Sequence, residues 1–97
     1  MTLSDAPLRT DARTAFLADH PEWTLEGETI TRTFVFSDFS EAIGFVMRCA
    51  IASELADHHP DIDIRWNKVA ITLTTHSSGS LSEKDTTVAA QLDAIVG

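Results

Sequence analysis

The chain of 97 residues has a formal net charge of −8, because 15 acidic side chains outnumber seven lysines and arginines. This charge and the lack of a basic cluster argue against direct nucleic-acid binding, and no apolar run is long enough to span a membrane. The hydrophobic fraction of 43% and the single cysteine, Cys49, indicate one globular domain over residues 1–97 without a disulfide framework. The first residues lack the basic and apolar regions of a signal peptide, so the expected location is the cytoplasm.

Hydrophobic periodicity and turn residues divide the chain into alternating helices and strand pairs. In order, the predicted segments are a loose arm (1–9), a helix (10–19), a strand (23–25), a turn (26–28), a strand (29–36), a long helix (38–57), two strands (61–66 and 69–74), a loop (77–80) and a helix that starts at residue 82. Strands joined by tight turns pair antiparallel. The order therefore predicts an α+β fold, a four-stranded antiparallel sheet with three helices packed on one face.

The same patterns predict which side chains point inward. The long helix has an apolar stripe at helical spacing, which consists of Phe39, Ala42, Ile43, Val46, Ala50 and Ile51. Arg32 shares the face of Ile30 and Phe34 on its strand, and we expect its stem to pack and its charged head to reach water. Asn67 and Lys68 are the expected two-residue connection between the third and fourth strands.

Two adjacent histidines, His58 and His59, stand where the helical pattern changes into a strand pattern. Pro60 disfavours helical backbone at the residue before it, so the helix is expected to stop near His58. Glu54 and His58 would then lie one turn apart on the same face, where the carboxylate can bind the imidazole and fix its tautomer. His59 is expected to line another wall of the same cleft.

The spacing of polar residues around these histidines resembles that of a known family. The residues that carry the resemblance are Glu54, His58, His59, Pro60, Trp66, His76 and Asp85, with gaps of five, nine and eight residues after Pro60. This pattern resembles the signature of the pterin-4a-carbinolamine dehydratases, and the likeness covers roughly residues 20–95. The family often has a glycine four residues after the third histidine, where this chain has Ser80.

The resemblance implies dehydration of 4a-hydroxytetrahydrobiopterin to quinonoid dihydropterin, which recycles the pterin cofactor of aromatic amino-acid hydroxylases, with no metal or organic cofactor. His58 and His76 would be the acid/base pair, since an imidazole can donate or accept a proton near neutral pH. His59 would bind the substrate and Glu54 would orient His58. The remaining residues assigned to substrate binding are Trp66, Asp85, Thr75, Ser77 and Ser78.

The residues alone leave alternatives open for Asp85, for Trp66 and for the pair of His58 and His76. Asp85 can close the site, cap the last helix three residues after Ser82, or do both. Trp66 can form a wall for the pterin ring or belong to the core. His58 and His76 with a carboxylate could instead hold a metal ion, and which histidine is the acid and which the base is not assigned.

Two other functions compete with the enzyme interpretation. The family includes members that bind and stabilise dimers of a transcription factor, so the domain could be a non-catalytic interaction module. Alternatively, this chain could be a relative of the dehydratases that acts on another pterin. The resemblance also implies a homodimer or homotetramer. The acidic charge implies no nucleic-acid partner, and the short apolar runs imply no membrane contact.

Overall fold

The helices and strands follow the order that the sequence predicts. In the computed structural model, which describes residues 3–97, they are α1 (Thr10–Asp19), β1 (Thr24–Glu26), β2 (Thr29–Val35), α2 (Phe39–Ala56), β3 (Asp61–Arg65), β4 (Lys68–Leu73) and α3 (Glu83–Val96). The four strands form one antiparallel sheet in the order β1-β2-β4-β3. The predicted α+β fold is therefore confirmed, with β1 and β3 at the edges of the sheet.

The core lies between one face of the sheet and the helices. Side chains alternate between the two faces of a strand, and the inward set is at most 3% exposed and consists of Ile30, Phe34, Val69, Ile71 and Leu73. Phe45 of α2 packs on this face, with its ring centroid 4.6 Å from that of Phe34. The regular alternation predicted for β4 is thus confirmed.

The buried face of α2 differs from the predicted stripe. The buried residues of this helix are Ala42, Phe45, Cys49 and Ser53. Three residues of the predicted stripe, Phe39, Ala50 and Ile51, are exposed instead. Apolar residues occur almost all round α2, so periodicity could not select one face. Around Phe45, the small side chains of Ala42, Cys49 and Ser53 allow close packing on this face. Burial raises the pKa of the Cys49 thiol to about 12, which leaves this residue as packing material.

The charged head of Arg32, which was expected to extend into water, instead binds a carboxylate of α3, and its side chain is 20% exposed. The guanidinium carbon lies 4.1 Å from the ring centroid of Phe34, and Nη1 donates a hydrogen bond of 2.7 Å to Asp93 Oδ1 on α3. Trp23 Nε1 donates to the same carboxylate at 3.0 Å, and His20 Nδ1 lies 2.7 Å from it. Asp93 stands 61 residues after Arg32 in the chain, so local pattern could not indicate this ion pair.

The turn between β3 and β4 lies one residue earlier than predicted. Arg65 pairs with Lys68, so the two connecting residues are Trp66 and Asn67. Asn67 is held against the end of β2, because its Nδ2 donates to the Phe36 carbonyl oxygen at 2.8 Å. Trp66 then adopts a left-handed backbone conformation with φ of 52° and is 65% exposed, which rules out the alternative that it belongs to the core.

Residues 3–9 of the expected loose arm contact the start of α3 and the loop before it. The Leu8 amide donates to the Leu81 carbonyl oxygen at 2.7 Å, and Ser77 Oγ donates to Asp5 Oδ2 at 2.8 Å. The hydrogen bond from Ser77 holds the pKa of the Asp5 carboxyl below its usual value. Residues 1 and 2 of the arm lie outside the described residues.

No helix within residues 3–97 has the length and apolar content needed to cross a bilayer.

An ion pair links α1 to the turn between β1 and β2. Arg13 Nη2 and Nη1 donate to the two carboxylate oxygens of Glu28 at 2.8 Å and 3.1 Å. These bonds, with weaker contributions from Ser80 and the Leu81 amide, lower the pKa of Glu28 from 4.5 to about 2. The carboxylate is therefore ionised throughout the neutral and mildly acidic range.

This pKa predicts how the Glu28→Gln variant depends on pH. A carboxyl with a lower pKa in the folded chain contributes stability above pH 4.5, and loses that contribution as pH falls from 4.5 through about 2. Arg13 is the titratable residue that contacts the carboxylate, and it stays protonated in this range. We therefore expect the stability difference between wild type and variant to be constant above pH 4.5 and to shrink towards pH 2. Urea unfolding of both proteins across this range measures it, and a pH-independent difference would contradict the assignment.

Candidate active site

The histidine pair lies just after α2, where the backbone changes direction. The helix ends at Ala56, and Asp57 takes a left-handed conformation with φ of 50° and ψ of 42°. The His58 amide then donates back to the Ser53 carbonyl oxygen at 3.1 Å, a hydrogen bond typical of such helix ends. His58 therefore leaves the helical spiral, and its ring is not stacked above Glu54.

His58 is bound to Asp85 rather than to Glu54 as predicted. Its Nε2 lies 2.6 Å from Asp85 Oδ1, across 27 residues of chain. The His58 side chain is 12% exposed and that of Asp85 is fully buried. Glu54 instead contacts Nε2 of His59, and both side chains of that pair are more than half exposed. The prediction failed because it continued the helix to His58. The helix ends at Ala56 and Asp57 is left-handed, so His59 contacts Glu54 and His58 contacts Asp85.

The Asp85 carboxylate is surrounded by hydrogen-bond donors. Its Oδ2 accepts from Thr75 Oγ1 at 2.8 Å and from the Ser82 amide at 2.9 Å. The bond to Ser82 completes a capping box at the start of α3, so the helix-capping alternative for Asp85 is confirmed. An ionised carboxylate only accepts hydrogen bonds. A carboxylate that accepts all three contacts requires His58 to donate from Nε2, and this tautomer leaves Nδ1 to exchange a proton with a ligand.

His58, His59 and His76 line one cavity of about 330 Å³ between the end of α2, the end of β4 and the start of α3. The residues around it are Asp57, His58, His59, Thr74, Thr75, His76, Ser77 and Lys84. The structure thus brings together His58, His59, His76, Thr75 and Ser77, all named from the sequence. Two larger hollows on the surface of residues 3–97, of about 600 Å³ beside Arg9 and about 480 Å³ beside Phe36, have no histidine among their lining residues.

Four of the predicted site residues do not line this cavity. Glu54 contacts His59 and Asp85 contacts His58, so both carboxylates lie behind histidines of the cavity wall. The Ser78 hydroxyl donates to the Thr75 carbonyl oxygen at 3.3 Å, within the loop itself. Trp66 lies at the opposite end of β3 from His59, on the exposed turn, and does not reach the cavity of its own chain.

Sequence reasoning missed two residues of the cavity wall, Asp57 and Lys84. Among the described residues that line the cavity, Lys84 is the one lysine or arginine. A signal for it existed, because Asp85 was expected at the site and its neighbour in the first helical turn lies close by. Within residues 3–97, no three histidine, cysteine or carboxylate side chains are grouped closely enough to hold a metal ion.

The chain is similar to a known protein family and to related sequences. The profile of the family described as "Pterin 4 alpha carbinolamine dehydratase" matches residues 6–95. A Chloroflexus aurantiacus protein, provisionally named pterin-4-alpha-carbinolamine dehydratase, is 52% identical over 81 residues, which cover 84% of this chain and 87% of that protein. A Rhodospirillum rubrum protein with the same provisional name is 52% identical over 83 residues, which cover 84% of this chain and 86% of that protein.

Two solved structures are also similar. The crystal structure of a transcriptional coactivator/pterin dehydratase from Brucella melitensis has a TM-score of 0.88 and 36% identity, over 94% of this chain and 99% of that one. A pterin dehydratase-like protein, identified as a RuBisCO assembly factor in the alpha-carboxysome, has a TM-score of 0.65 and 26% identity. That match covers 77% of this chain and 87% of the other.

Proposed function

Because the chain belongs to the pterin 4 alpha carbinolamine dehydratase family, we propose that its histidine cavity dehydrates 4a-hydroxytetrahydrobiopterin to quinonoid dihydropterin. The reaction would recycle the pterin cofactor of an aromatic amino-acid hydroxylase. The observation that carries the proposal is the convergence of His58, His59 and His76 on one cavity, with His58 oriented by a buried carboxylate.

The proposed chemistry requires two proton transfers. The carbon–oxygen bond of the carbinolamine breaks and the oxygen, which receives a proton, leaves as water. The neighbouring ring nitrogen loses its proton and forms a double bond to the same carbon. Imidazoles can perform both transfers near neutral pH, and a positioned acid or base contributes roughly 10²–10⁴-fold to the rate.

His58 and His76 are the proposed acid/base pair. His58 is fixed by Asp85, which leaves Nδ1 for proton exchange. His76 lies on another wall of the cavity and is exposed, so a bound ring could fit between the two imidazoles. We assign substrate binding to His59, Thr75, Ser77 and the newly found Lys84, whose ammonium can bind oxygen atoms of the pterin. Glu54 would orient His59, and Asp85 would orient His58.

The direct test is the turnover of chemically generated 4a-hydroxytetrahydrobiopterin, followed by its ultraviolet spectrum. We expect wild type to accelerate the loss of water above the rate in buffer and above the rate with free imidazole at the same histidine concentration. Carbinolamines with other side chains on the pterin ring, measured in parallel, test whether a different pterin is preferred. A folded protein that accelerates none of them would contradict the proposal.

We also propose that the chain forms homodimers or homotetramers, in which a second copy covers the outer face of α2. Met47, Ile51 and Leu55 follow one another at four-residue intervals on this face and are 62%, 61% and 86% exposed. They lie opposite the buried face of the helix, so the chain's own core leaves them uncovered. A domain of this size has a limited core, and burial of such side chains between copies would add to its stability.

Replacement of Leu55 by glutamate is expected to reduce the assembly. A symmetric contact contains the residue twice, and loss of about 1.5 kcal/mol of apolar burial from each copy weakens association by roughly 100-fold. Sedimentation at micromolar concentration should show a smaller species than wild type. Ala18→Glu on α1 adds the same charge at an exposed position and should not change the size. A monomeric wild type, or a variant of unchanged size, would contradict the proposal.

The same face of α2 favours a second function, that of a protein-interaction module. The related coactivator and RuBisCO assembly factor are described by such roles, and an exposed apolar stripe suits a protein partner as well as a second copy. The two functions depend on different residues. An interaction module would keep its partner binding after loss of His58 and His76, but would lose it after loss of Ile51 and Leu55. The dehydratase would lose its activity after loss of His58 and His76.

A further inference from the structure

Glu28 is bonded to both ends of the loop that contains His76. Its backbone carbonyl oxygen accepts from Thr74 Oγ1 at 2.7 Å, just before the loop. Its carboxylate Oε1 accepts from Ser80 Oγ at 2.6 Å and from the Leu81 amide at 3.1 Å, just after it. Glu28, in the turn between β1 and β2, thus binds the chain on both sides of the loop, at Thr74 and at Ser80 and Leu81.

Arg13 holds this glutamate in place from α1. The two ends of its guanidinium bind the two carboxylate oxygens of Glu28, a bidentate geometry that restricts the direction of both side chains. Its Nε donates to the Leu8 carbonyl oxygen at 2.8 Å, and its side chain is 15% exposed. The glutamate is therefore pre-oriented towards the loop rather than free to sample other rotamers.

Ser80 is the position at which the chain departs from the glycine often found in the family. The residue is 7% exposed, and its backbone pairs with that of Thr75 through hydrogen bonds of 3.1 Å and 3.3 Å. The hydroxyl adds the bond to Glu28, which a glycine could not form. The serine therefore supplies a side-chain attachment point for the loop.

We propose that Glu28, held by Arg13 and bonded to Ser80, is a positioning residue that fixes the loop of residues 75–79 and thereby the place of His76 in the cavity. The three residues do not line the cavity themselves, so they would act through the loop. The inference rests on the proposed function for its effect on rate, because misplacement of a catalytic group by about 1 Å can cost up to roughly 10²-fold. Its effect on the loop itself can be measured without any substrate.

The test compares Glu28→Gln with Glu26→Gln, a control two residues away whose exposed side chain forms no hydrogen bond within residues 3–97. Glutamine keeps the size of Glu28 and removes its charge, which weakens the bonds to Arg13, Ser80 and Leu81. We expect kcat to fall about 10-fold, because the His76 imidazole shifts with the loop. KM should rise by no more than about threefold, because Thr75 and Ser77 move with the loop while His59 and Lys84 lie outside it. The Leu81 amide should exchange with solvent about 10-fold faster, and the control should match wild type in both measurements.

Ser80→Ala extends the test to Ser80, which donates a hydrogen bond to Glu28. It should shift kcat and loop exchange in the same direction by a smaller amount. The double variant should be no worse than Glu28→Gln alone, since both changes break the same contact. If wild type has no turnover, the proposed function fails while the exchange measurement still decides whether Glu28 fixes the loop. Exchange and kcat of Glu28→Gln equal to those of Glu26→Gln would overturn the inference.

Discussion

Replacement of His76 or His58 by alanine is expected to lower kcat/KM for 4a-hydroxytetrahydrobiopterin by roughly 10²–10⁴-fold, because each would remove one positioned proton-transfer group. The two variants should differ in stability. His76 is exposed, so its loss should change the free energy of unfolding by less than about 0.5 kcal/mol. His58 is mostly buried against Asp85, and its loss should cost about 1–3 kcal/mol. Initial rates and urea unfolding of each variant measure both effects.

Two other histidines provide controls for this experiment. His59→Ala should mainly raise KM, because we assign that ring to substrate binding. His20→Gln loses a contact with Asp93 far from the cavity, so it should lose some stability and keep its kcat/KM when measured below its unfolding temperature. Wild-type kcat/KM in folded His76→Ala would remove this residue from the proposed acid/base pair.

Replacement of Asp85 by alanine is expected to affect folding and catalysis together. The fully buried carboxylate accepts bonds from His58, Thr75 and the Ser82 amide. Its loss removes a helix cap and leaves buried donors without a partner, which should lower the free energy of unfolding by about 2–4 kcal/mol. The orientation and tautomer of His58 would also be lost, and kcat/KM should fall about 100-fold or more.

Two further variants separate these two roles of Asp85. Asp85→Asn keeps the volume and part of the cap, so we expect a smaller loss of stability with a similar loss of kcat/KM, since an amide does not impose the same tautomer on His58. Glu83→Ala removes a charge from the same helical turn without a contact to His58, and should cost less than about 1 kcal/mol with unchanged kcat. Asp85→Asn with wild-type kcat/KM would show that the carboxylate has only a structural role.

The fold could be predicted wherever short-range signals agreed. The alternation of Val69, Ile71 and Leu73 fixed both the existence and the face of β4, and the spacing of Ser82 and Asp85 marked the start of α3. The face of α2 could not be predicted, because apolar residues surround the helix and only its neighbours select which ones are buried. The turn after β3 was misplaced because the bond between Asn67 and Phe36 joins residues 31 apart.

The membership of the cavity was easier to predict than the contacts within it. The resemblance to the pterin-4a-carbinolamine dehydratases implied that His58, His59 and His76 share one site, and the structure places all three in the wall of one cavity. Their partners depend on the left-handed backbone of Asp57 and on the approach of α3, which helical spacing around Glu54 did not reveal. Lys84 was missed for a related reason, since its place in the wall follows from the approach of α3.

The most direct measurement is the turnover of 4a-hydroxytetrahydrobiopterin by wild type beside a folded variant in which both His58 and His76 are replaced by alanine. We predict that wild type accelerates dehydration well above the rate in buffer and that the double variant does not. Acceleration that survives in the double variant would contradict the histidine mechanism, and the absence of acceleration by folded wild type would contradict the proposed dehydratase function itself.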